Sequence, residues 1–450
     1  MSEKFTLYSN RDLRLLIIPL IVEQMLFVTV GMADNVMVAF LGEASVSGVN
    51  IVDMLNYFLG NIFFALATGG AVVSAQFLGA KKIKEARGSV LQLLYVSLAF
   101  SLTVMLICEL FSKGLLKLIY GTLPPEVEVE ALKYMRITAV SLPFIAVYGS
   151  CAALFRSMNL SKVTMYISLF SNLVNILGNA LLIFGLGWGV SGAAYATTLA
   201  RLFSMLVILK MLCNKRNPLY LSRENKVSVD WTTIRKILFI GIPSGIENGI
   251  FQFGRLLVVG LIATFGIREL AANSVAVQLG GIHCIPASAC GLALITVAGQ
   301  AVGAGIEAQV RFYIKKMMTW CYMIHVPWSI LHLCCIPLML KFYANLEPET
   351  LHLACILAMI HTGFGLFLWP ASFVFPNCLR SANDVKLPMI VSVSSMLIVR
   401  IGTAYLLAPH LNSGCIAVWI AMICDWIVRM VVFIWRYRSN AWLKTANISK

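Results

Sequence analysis

The chain has 450 residues, 59% of them hydrophobic and only 12% charged, with a mean hydropathy of +0.84 and a formal net charge of +15. Soluble globular domains carry about twice that charged share, so this composition excludes a soluble enzyme or binding module and requires a polytopic membrane protein. The surplus of bases does not point to nucleic acid, because Lys and Arg are scattered through short connections between apolar stretches, as the positive-inside pattern demands.

The polar start MSEKFTLYSN shows no small-residue cleavage site, so the expectation is that no signal peptide is removed and the first span targets the chain. Apolar segments of about 20 residues, separated by polar or Gly/Pro turns, mark bilayer-crossing helices. Twelve are predicted, at 13–38, 49–75, 90–112, 130–154, 163–185, 191–212, 235–264, 272–298, 313–339, 353–378, 388–408 and 414–436. The even-numbered connections hold most of the bases, among them Lys81, Lys82, Lys84 and Arg87, then Arg156 and Lys162, then Lys215, Arg216, Arg223 and Lys226, and later Arg311, Arg380 and Lys386. The odd ones are poor in bases, as in GTLPPEVEVE at 121–130. This alternation predicts both termini in the cytoplasm. The expected layout is an N-terminal six-helix lobe at 1–212, a cytoplasmic linker at 213–234, a C-terminal six-helix lobe at 235–437 and a cytoplasmic tail at 438–450. The twelve cysteines show no CxxC or Cys/His ligand spacing and read as small buried hydrophobes.

The first span carries Glu23 and Asp34 within PLIVEQMLFVTVGMADNVMVAFLG at 19–42. A charge at the bilayer centre costs at least about 2.5–3.5 kcal/mol, so such residues face a bundle interior or a cavity. Eleven residues of helix separate the two by only about 20° around the axis and about 16 Å along it. They share one face.

An internal repeat is visible at an offset of 224 residues. It places Arg11 on Arg235, Pro19 on Pro243, Glu23 on Glu247 and Gly42 on Gly266, then Gln76 on Gln300, Arg87 on Arg311, Arg156 on Arg380 and Asn159 on Asn383, without a gap. Copies with an even number of spans share orientation, and parallel repeats of this kind usually hold substrate between the lobes. Asp34 falls opposite Val258 and has no twin.

Several stretches resemble the multidrug and toxic compound extrusion (MATE) family of bacterial transporters: ADNVMVAFLG at 33–42, GGAVVSAQFLGA at 69–80, the FRSMN and LRSAN loops, VNILGNALLIFGLGWGVSGAAYAT at 174–197 and the tail DWIVRMVVFIWRYRSNAW. The resemblance covers the whole chain. It implies an all-α protein of twelve transmembrane helices in two six-helix lobes around a V-shaped cleft, extruding organic cations or amphiphiles against an inward flow of H⁺ or Na⁺. It also implies that Asp34 is the first-helix aspartate that takes up the coupling ion, beside Asn175 and Asn179 on the fifth helix and Thr197 on the sixth. The family has an aspartate where this chain has Asn179, which removes one carboxylate from the relay. Asn175 and Asn179 are i,i+4 and share a helix face, and oxygens around an aspartate suit either a hard cation or a tuned proton site. Some members carry acids on the seventh and tenth helices; GIFQFGR at 249–255 and FLWPASF at 367–373 contain none, so coupling is expected in the N-terminal lobe.

Glu23, Asp53, Glu247, Gln252, Arg255 and Gln278 are candidates for substrate contact, with Asn50 and Tyr57 as further polar groups, while the duplication of Glu23 in Glu247 also suits a shared scaffold role. An ion pair between Arg400 and Asp425 is expected to hold the second lobe together. The histidines, His283 and His325 included, look isolated and show no ligand spacing, so no metal is expected beyond Na⁺ at Asp34, and no cofactor. Twenty methionines would suit a surface accepting varied amphiphiles. Gly69 and Gly70 are expected to let helices approach closely.

A membrane-embedded enzyme is disfavoured, since no HExxH, GxSxG or Walker motif is present. A major-facilitator exporter would carry a GxxxDR-like loop that GAKKIKEARG lacks. The alternative function is a flippase of lipid-linked or amphipathic precursors from the same superfamily; those relatives favour extra spans and a strongly basic cleft. The expected setting is the plasma membrane, as a monomer whose partners are the bilayer and small-molecule substrates.

Overall fold

The computed structural model describes residues 7–221, 229–343, 345–411 and 413–446. Arg223 and Lys226 of the expected linker and residues 447–450 of the expected tail lie outside them. The described residues contain helices and connections but no strand, as hydrocarbon requires of a chain that cannot close into a barrel.

Among the described residues, twelve spans are present by length and composition when one bent helix pair counts as a single crossing. In order they are Asn10–Ala39, Glu43–Gly79, Ile83–Leu110, the bent pair Pro125–Ala139 and Leu142–Ser157, Ser161–Gly185 and Gly189–Leu212; the second half follows with Trp231–Ala263, Ile267–Gly303, Glu307–Tyr343, Pro348–Ser381, Lys386–Leu407 and Gly414–Arg438. They are called here the first to twelfth spans. The second and eighth reach 37 residues, about 55 Å of helix against a hydrocarbon core of about 30 Å. Their polar ends continue the helix past the apolar segment that marks it in sequence.

Two expectations are corrected. The third span starts at Ile83, seven residues before position 90, and a separate helix, Ser112–Tyr120, follows it. The fourth span bends by 47° at Val140–Ser141 instead of running straight through 130–154. Pro143, in the first turn of Leu142–Ser157, lacks the N–H that would continue the helix onto the Ala139 carbonyl, and the Ser141 hydroxyl donates to the Thr138 carbonyl at 2.6 Å.

By compactness the chain forms one unit of Asn10–Gly245 and another of Ile246–Lys450 with Met1–Ser9. The sequence places the linker at 213–234, whereas this division falls inside the seventh span. The early turns of that span pack against the second: a Cβ on Gly69 would stand 2.4 Å from the Ile237 carbonyl oxygen. Gly70 meets Leu93 just as closely, so both glycines do permit close approach. The second and eighth spans are the most enclosed, with 67% and 72% of their apolar windows buried, against 22–28% for every odd-numbered span. Each even-numbered core helix is thus wrapped by lipid-facing neighbours. Val52, Phe63, Tyr134 and Met135 anchor the first core, and Leu279, Leu357, Trp419 and Trp426 the second.

The 224-residue register extends to single hydrogen bonds. Ser157 Oγ donates to the carbonyls of Ala71 (3.3 Å) and Ala153 (2.9 Å), and Ser381 Oγ repeats this on Ile295 (3.3 Å) and Asn377 (2.8 Å). Asn159 and Asn383 both turn the chain at positive φ, 61° and 62°, a conformation asparagine tolerates.

The buried Glu–Arg pairs obey the same symmetry, while the hydroxyl that joins each comes from positions one helical turn apart in the repeat. Glu23 faces Arg156 at 3.6 Å and accepts from Thr164 Oγ1 at 2.5 Å. Glu247 faces Arg380 at 2.7 Å and accepts from Ser392 Oγ at 2.7 Å. Arg156 and Arg380 read in sequence as loop bases; they instead sit at the ends of helices Leu142–Ser157 and Pro376–Ser381, mostly shielded from solvent. Removing one partner leaves a buried charge uncompensated, at a cost of about 3–5 kcal/mol. Arg380→Met and Glu247→Gln should each lower the melting temperature in detergent, and the double variant should lose clearly less than the sum of the two. Additive losses would show that the pair does not couple.

Candidate functional site

The first span presents one face to the fifth. Leu16 O accepts from Ser161 Oγ (2.9 Å), Glu23 from Thr164, Leu26 O from Asn172 Nδ2 (2.9 Å) and Asp34 Oδ1 from Asn179 Nδ2 (2.6 Å). The spacing that puts Glu23 and Asp34 on one face of a helix therefore aims both at the same neighbour. Glu23 meets it where Arg156 also reaches; Asp34 meets it where only neutral amides do.

From Asp34 a chain of polar groups crosses to the sixth span. Asn179 Nδ2 also approaches Asn175 Oδ1 at 3.5 Å, and Asn175 Nδ2 donates to Thr197 Oγ1 at 3.3 Å. The four residues singled out for ion coupling thus lie in contact sequence Asp34, Asn179, Asn175, Thr197. Asn175 and Asn179 are buried, and Asn179 Oδ1 is buried without a hydrogen-bond partner. An amide oxygen left unpaired at membrane depth is costly, and beside a carboxylate it is the kind of ligand that hard cations take. Immediately after Asn179 the fifth span changes to a π-helical stretch, Ala180–Gly185, an irregularity that recurs at functional positions in helices.

A second acid lies near the first. Asp53 accepts from Tyr134 Oη at 3.1 Å, and its carboxylate interacts electrostatically with Asp34 and with the Arg201 guanidinium. Arg201 Nη1 donates to Ser141 Oγ at 2.7 Å, so the bend in the fourth span supplies the hydroxyl that anchors this base. Asn56 Nδ2 donates to Thr138 Oγ1 at 3.3 Å close by. Arg201 and Tyr134 were not singled out from sequence. Arg201 was legible as a base in the middle of the sixth span, whereas Tyr134, among many membrane tyrosines, gave no signal.

The other candidates are dispersed. Glu23 and Glu247 are held in their ion pairs. Arg255 Nη1 approaches Gln252 Oε1 at 3.5 Å on its own helix, and Gln278 accepts from Tyr343 Oη at 2.9 Å. Tyr57 is exposed, and its carbonyl accepts from Asn61 Nδ2 at 2.8 Å. The expected ion pair between Arg400 and Asp425 does not close to contact distance, although Asp425 still attracts Arg400 electrostatically. Asp425 instead pairs with Arg429, one helical turn along its own span, at 2.9 Å; Arg400 only approaches Met396 Sδ at 3.9 Å, and its Nε has no partner. An i,i+4 partner is pre-positioned by the helix, whereas a pair between spans depends on their packing. The histidines are likewise not isolated, as described below.

These features find counterparts in known proteins. The family model described as MatE matches residues 19–181 and 243–406, two segments whose starts are 224 residues apart. The chain is 26% identical over 95% of its length to an uncharacterized transporter, YisQ, of Bacillus subtilis, covering 93% of it, and 25% identical over 98% of its length to a probable multidrug resistance protein, NorM, of Thermotoga maritima, covering 95% of it. Its fold matches a crystal structure of MATE in the bent conformation with a TM-score of 0.87 at 20% identity, covering 97% of each chain. It also matches the outward-facing conformation of a multidrug resistance MATE family transporter of the MOP superfamily, with a TM-score of 0.87 at 19% identity, covering 98% of this chain and 96% of that one. The family match across both halves makes this a multi-pass membrane transporter. The chain belongs to the MatE family.

Asn179 is the hinge of the polar chain. Asn179→Leu should leave the Asp34 carboxylate without its donor at a cost of about 1–3 kcal/mol, read as a lower melting temperature in detergent. In the Asp34→Leu background the same change should cost much less, and an equal cost there would show that Asn179 stabilises the fold independently of Asp34.

Proposed function

We propose that this protein is a secondary active exporter of cationic or amphiphilic small molecules, driven by inward flow of H⁺ or Na⁺ through a site centred on Asp34. The observation that carries this reading is the Asp34–Asn179 hydrogen bond at 2.6 Å, next to a buried amide oxygen with no partner. Glu23 has a cationic partner built into the fold and a duplicate in the other half; among the described residues Asp34 forms no salt bridge, Arg201 acting on it only from beyond contact distance, and Val258 stands at its place in the second repeat. A cation arriving at Asp34 supplies a counter-charge in direct contact. It neutralises the carboxylate, weakens its hold on Asn179 and changes how the first span meets the fifth. Asn175 and Thr197 extend that change to the sixth span. Asp53 and Arg201 adjust the local field and complete the polar set, with Tyr134 holding Asp53.

The substrate class rests on the relatives, several of which are named probable multidrug resistance proteins. Gln252, Arg255 and Gln278 remain candidates for substrate contact, while Glu23 and Glu247 are assigned to the scaffold. The base-rich even connections support a cytoplasmic position for both termini, and we take the protein to work as a monomer in the plasma membrane.

Ethidium efflux from cells producing Asp34→Asn should fall to the level of empty-vector cells at equal amounts of protein in the membrane; efflux at the wild-type rate would overturn the assignment. In proteoliposomes, a Na⁺ gradient or a pH gradient imposed alone should drive dye movement, and Asp34→Asn should abolish whichever response is found. Movement with neither gradient would remove ion coupling from the reading.

A further inference from the structure

We propose that the second half contains a binding site for one borderline or soft transition-metal ion, of the Zn²⁺ or Cu⁺ kind, formed by His283, Cys284 and His361 with His325 beside them. His283 and Cys284 lie on the eighth span, His325 and His332 on the ninth and His361 on the tenth. The His283 ring centre is 4.8 Å from that of His325, 5.3 Å from His361 and 5.7 Å from His332. Imidazoles bound to one tetrahedral ion at about 2.0–2.1 Å have ring centres about 5 Å apart. Ligand atoms of His283, Cys284 and His361 all lie within 4.8 Å of one another; bound donors stand about 3.3–3.8 Å apart, so binding requires the set to close by roughly 1 Å.

The hydrogen bonds leave ring nitrogens available. Ser329 Oγ donates to the His325 carbonyl at 2.7 Å, so at 2.9 Å it accepts from His283 Nε2–H. That fixes the tautomer of His283 and frees its Nδ1 lone pair, which stands 3.8 Å from Cys284 Sγ. His325 Nε2 faces the Gly365 carbonyl at 3.4 Å and must carry its proton there, leaving Nδ1 bare. His325 Nδ1 and His361 Nδ1 are buried without a hydrogen-bond partner. His283 and His325 are fully buried, and His361 is only 7% exposed. Two orphaned nitrogens in one apolar cluster are expensive by themselves, and a metal ion satisfies such lone pairs. The Ser329 hydroxyl orients His283 as the hydrogen-bond partners of metal-bound histidines do.

Trp369, Trp419 and Trp426 surround His361 at 6.0, 5.7 and 5.2 Å and exclude water. The Arg255 and Arg400 guanidiniums act electrostatically on His361, so a bare cation needs compensation. The Cys284 thiolate supplies one negative charge, which favours thiolate-seeking ions over hard ones such as Na⁺ or Mg²⁺. The repeat shows that the fold does not need these residues: Leu59, Gly60, Ser101 and Ile137 stand at the places of His283, Cys284, His325 and His361 in the first half.

The test uses full-length untagged protein in detergent, stripped with chelator, incubated with Zn²⁺ or with Cu⁺ and desalted. Elemental analysis should find one ion per chain for at least one of the two metals, and X-ray absorption should show a mixed nitrogen shell with one sulfur. Cys284→Ala should remove the sulfur scatterer, and both it and His361→Gln should weaken binding at least about 10–100-fold. Added metal should raise the wild-type melting temperature but not that of either variant, and without metal Cys284→Ala, which removes a buried thiol, should melt no lower than the wild type. Wild-type protein that retains neither metal overturns the site. So does retention by both variants equal to the wild type, which would mark adventitious binding elsewhere.

Discussion

A carboxylate inside a hydrocarbon layer must find a cation or hydrogen-bond donors within the protein, and the architecture of this transporter is arranged around where those partners come from. In each half one glutamate on the opening span meets an arginine at the end of a later helix, as Glu23–Arg156 and Glu247–Arg380, and a hydroxyl from the following span completes the contact through Thr164 or Ser392. Three helices are thereby tied at one point. A buried ion pair of this kind adds little net stability compared with apolar packing. It does penalise every arrangement that separates the partners, and so selects one packing of the opening span.

Against this duplicated frame the unduplicated polar groups stand out. The first half keeps Asp34, Asp53, Asn175, Asn179 and Arg201 around one region between the first, second, fifth and sixth spans. The second half places Val258, Val277, Val399, Thr403 and Asp425 at those positions, and instead gathers four histidines, a cysteine and three tryptophans in its core. Two copies of one scaffold have therefore gathered different side chains: carboxylates and amides in one, imidazoles and a thiol in the other. Oxygen donors suit hard cations or protons, and imidazole with thiolate suits softer metal ions.

Irregular helix accompanies several of these groups. The π-helical stretches Ala180–Gly185, Pro370–Val374 and Ser395–Ile401 follow Asn179, adjoin Trp369 and contain Arg400. Each shifts the helical register locally, so residues on either side leave the face that a regular helix would give them. Extrapolation from helical spacing alone therefore loses track of side chains beyond Asn179, beyond Trp369 and around Arg400.

How much was legible follows from the reach of each interaction. The sequence by itself determined the twelve spans, the 224-residue repeat and the shared face of Glu23 and Asp34, because apolar length, repeat offset and helical periodicity are properties of one stretch of chain. It also brought out Asp34, Asn175, Asn179 and Thr197, through a family motif whose members prove to touch. Only the tertiary structure decided which partner each charge takes: Arg156 and Arg380 leave the loops to meet glutamates more than 130 residues away, Asp425 chooses Arg429 over Arg400, and Arg201 joins the Asp34 region through a bend at Ser141. The histidines show the same limit most clearly, since positions 283, 325, 332 and 361 share no spacing along the chain. They meet because three different spans present them to one core, and which faces of those spans meet is settled by packing, on which sequence distance has no bearing.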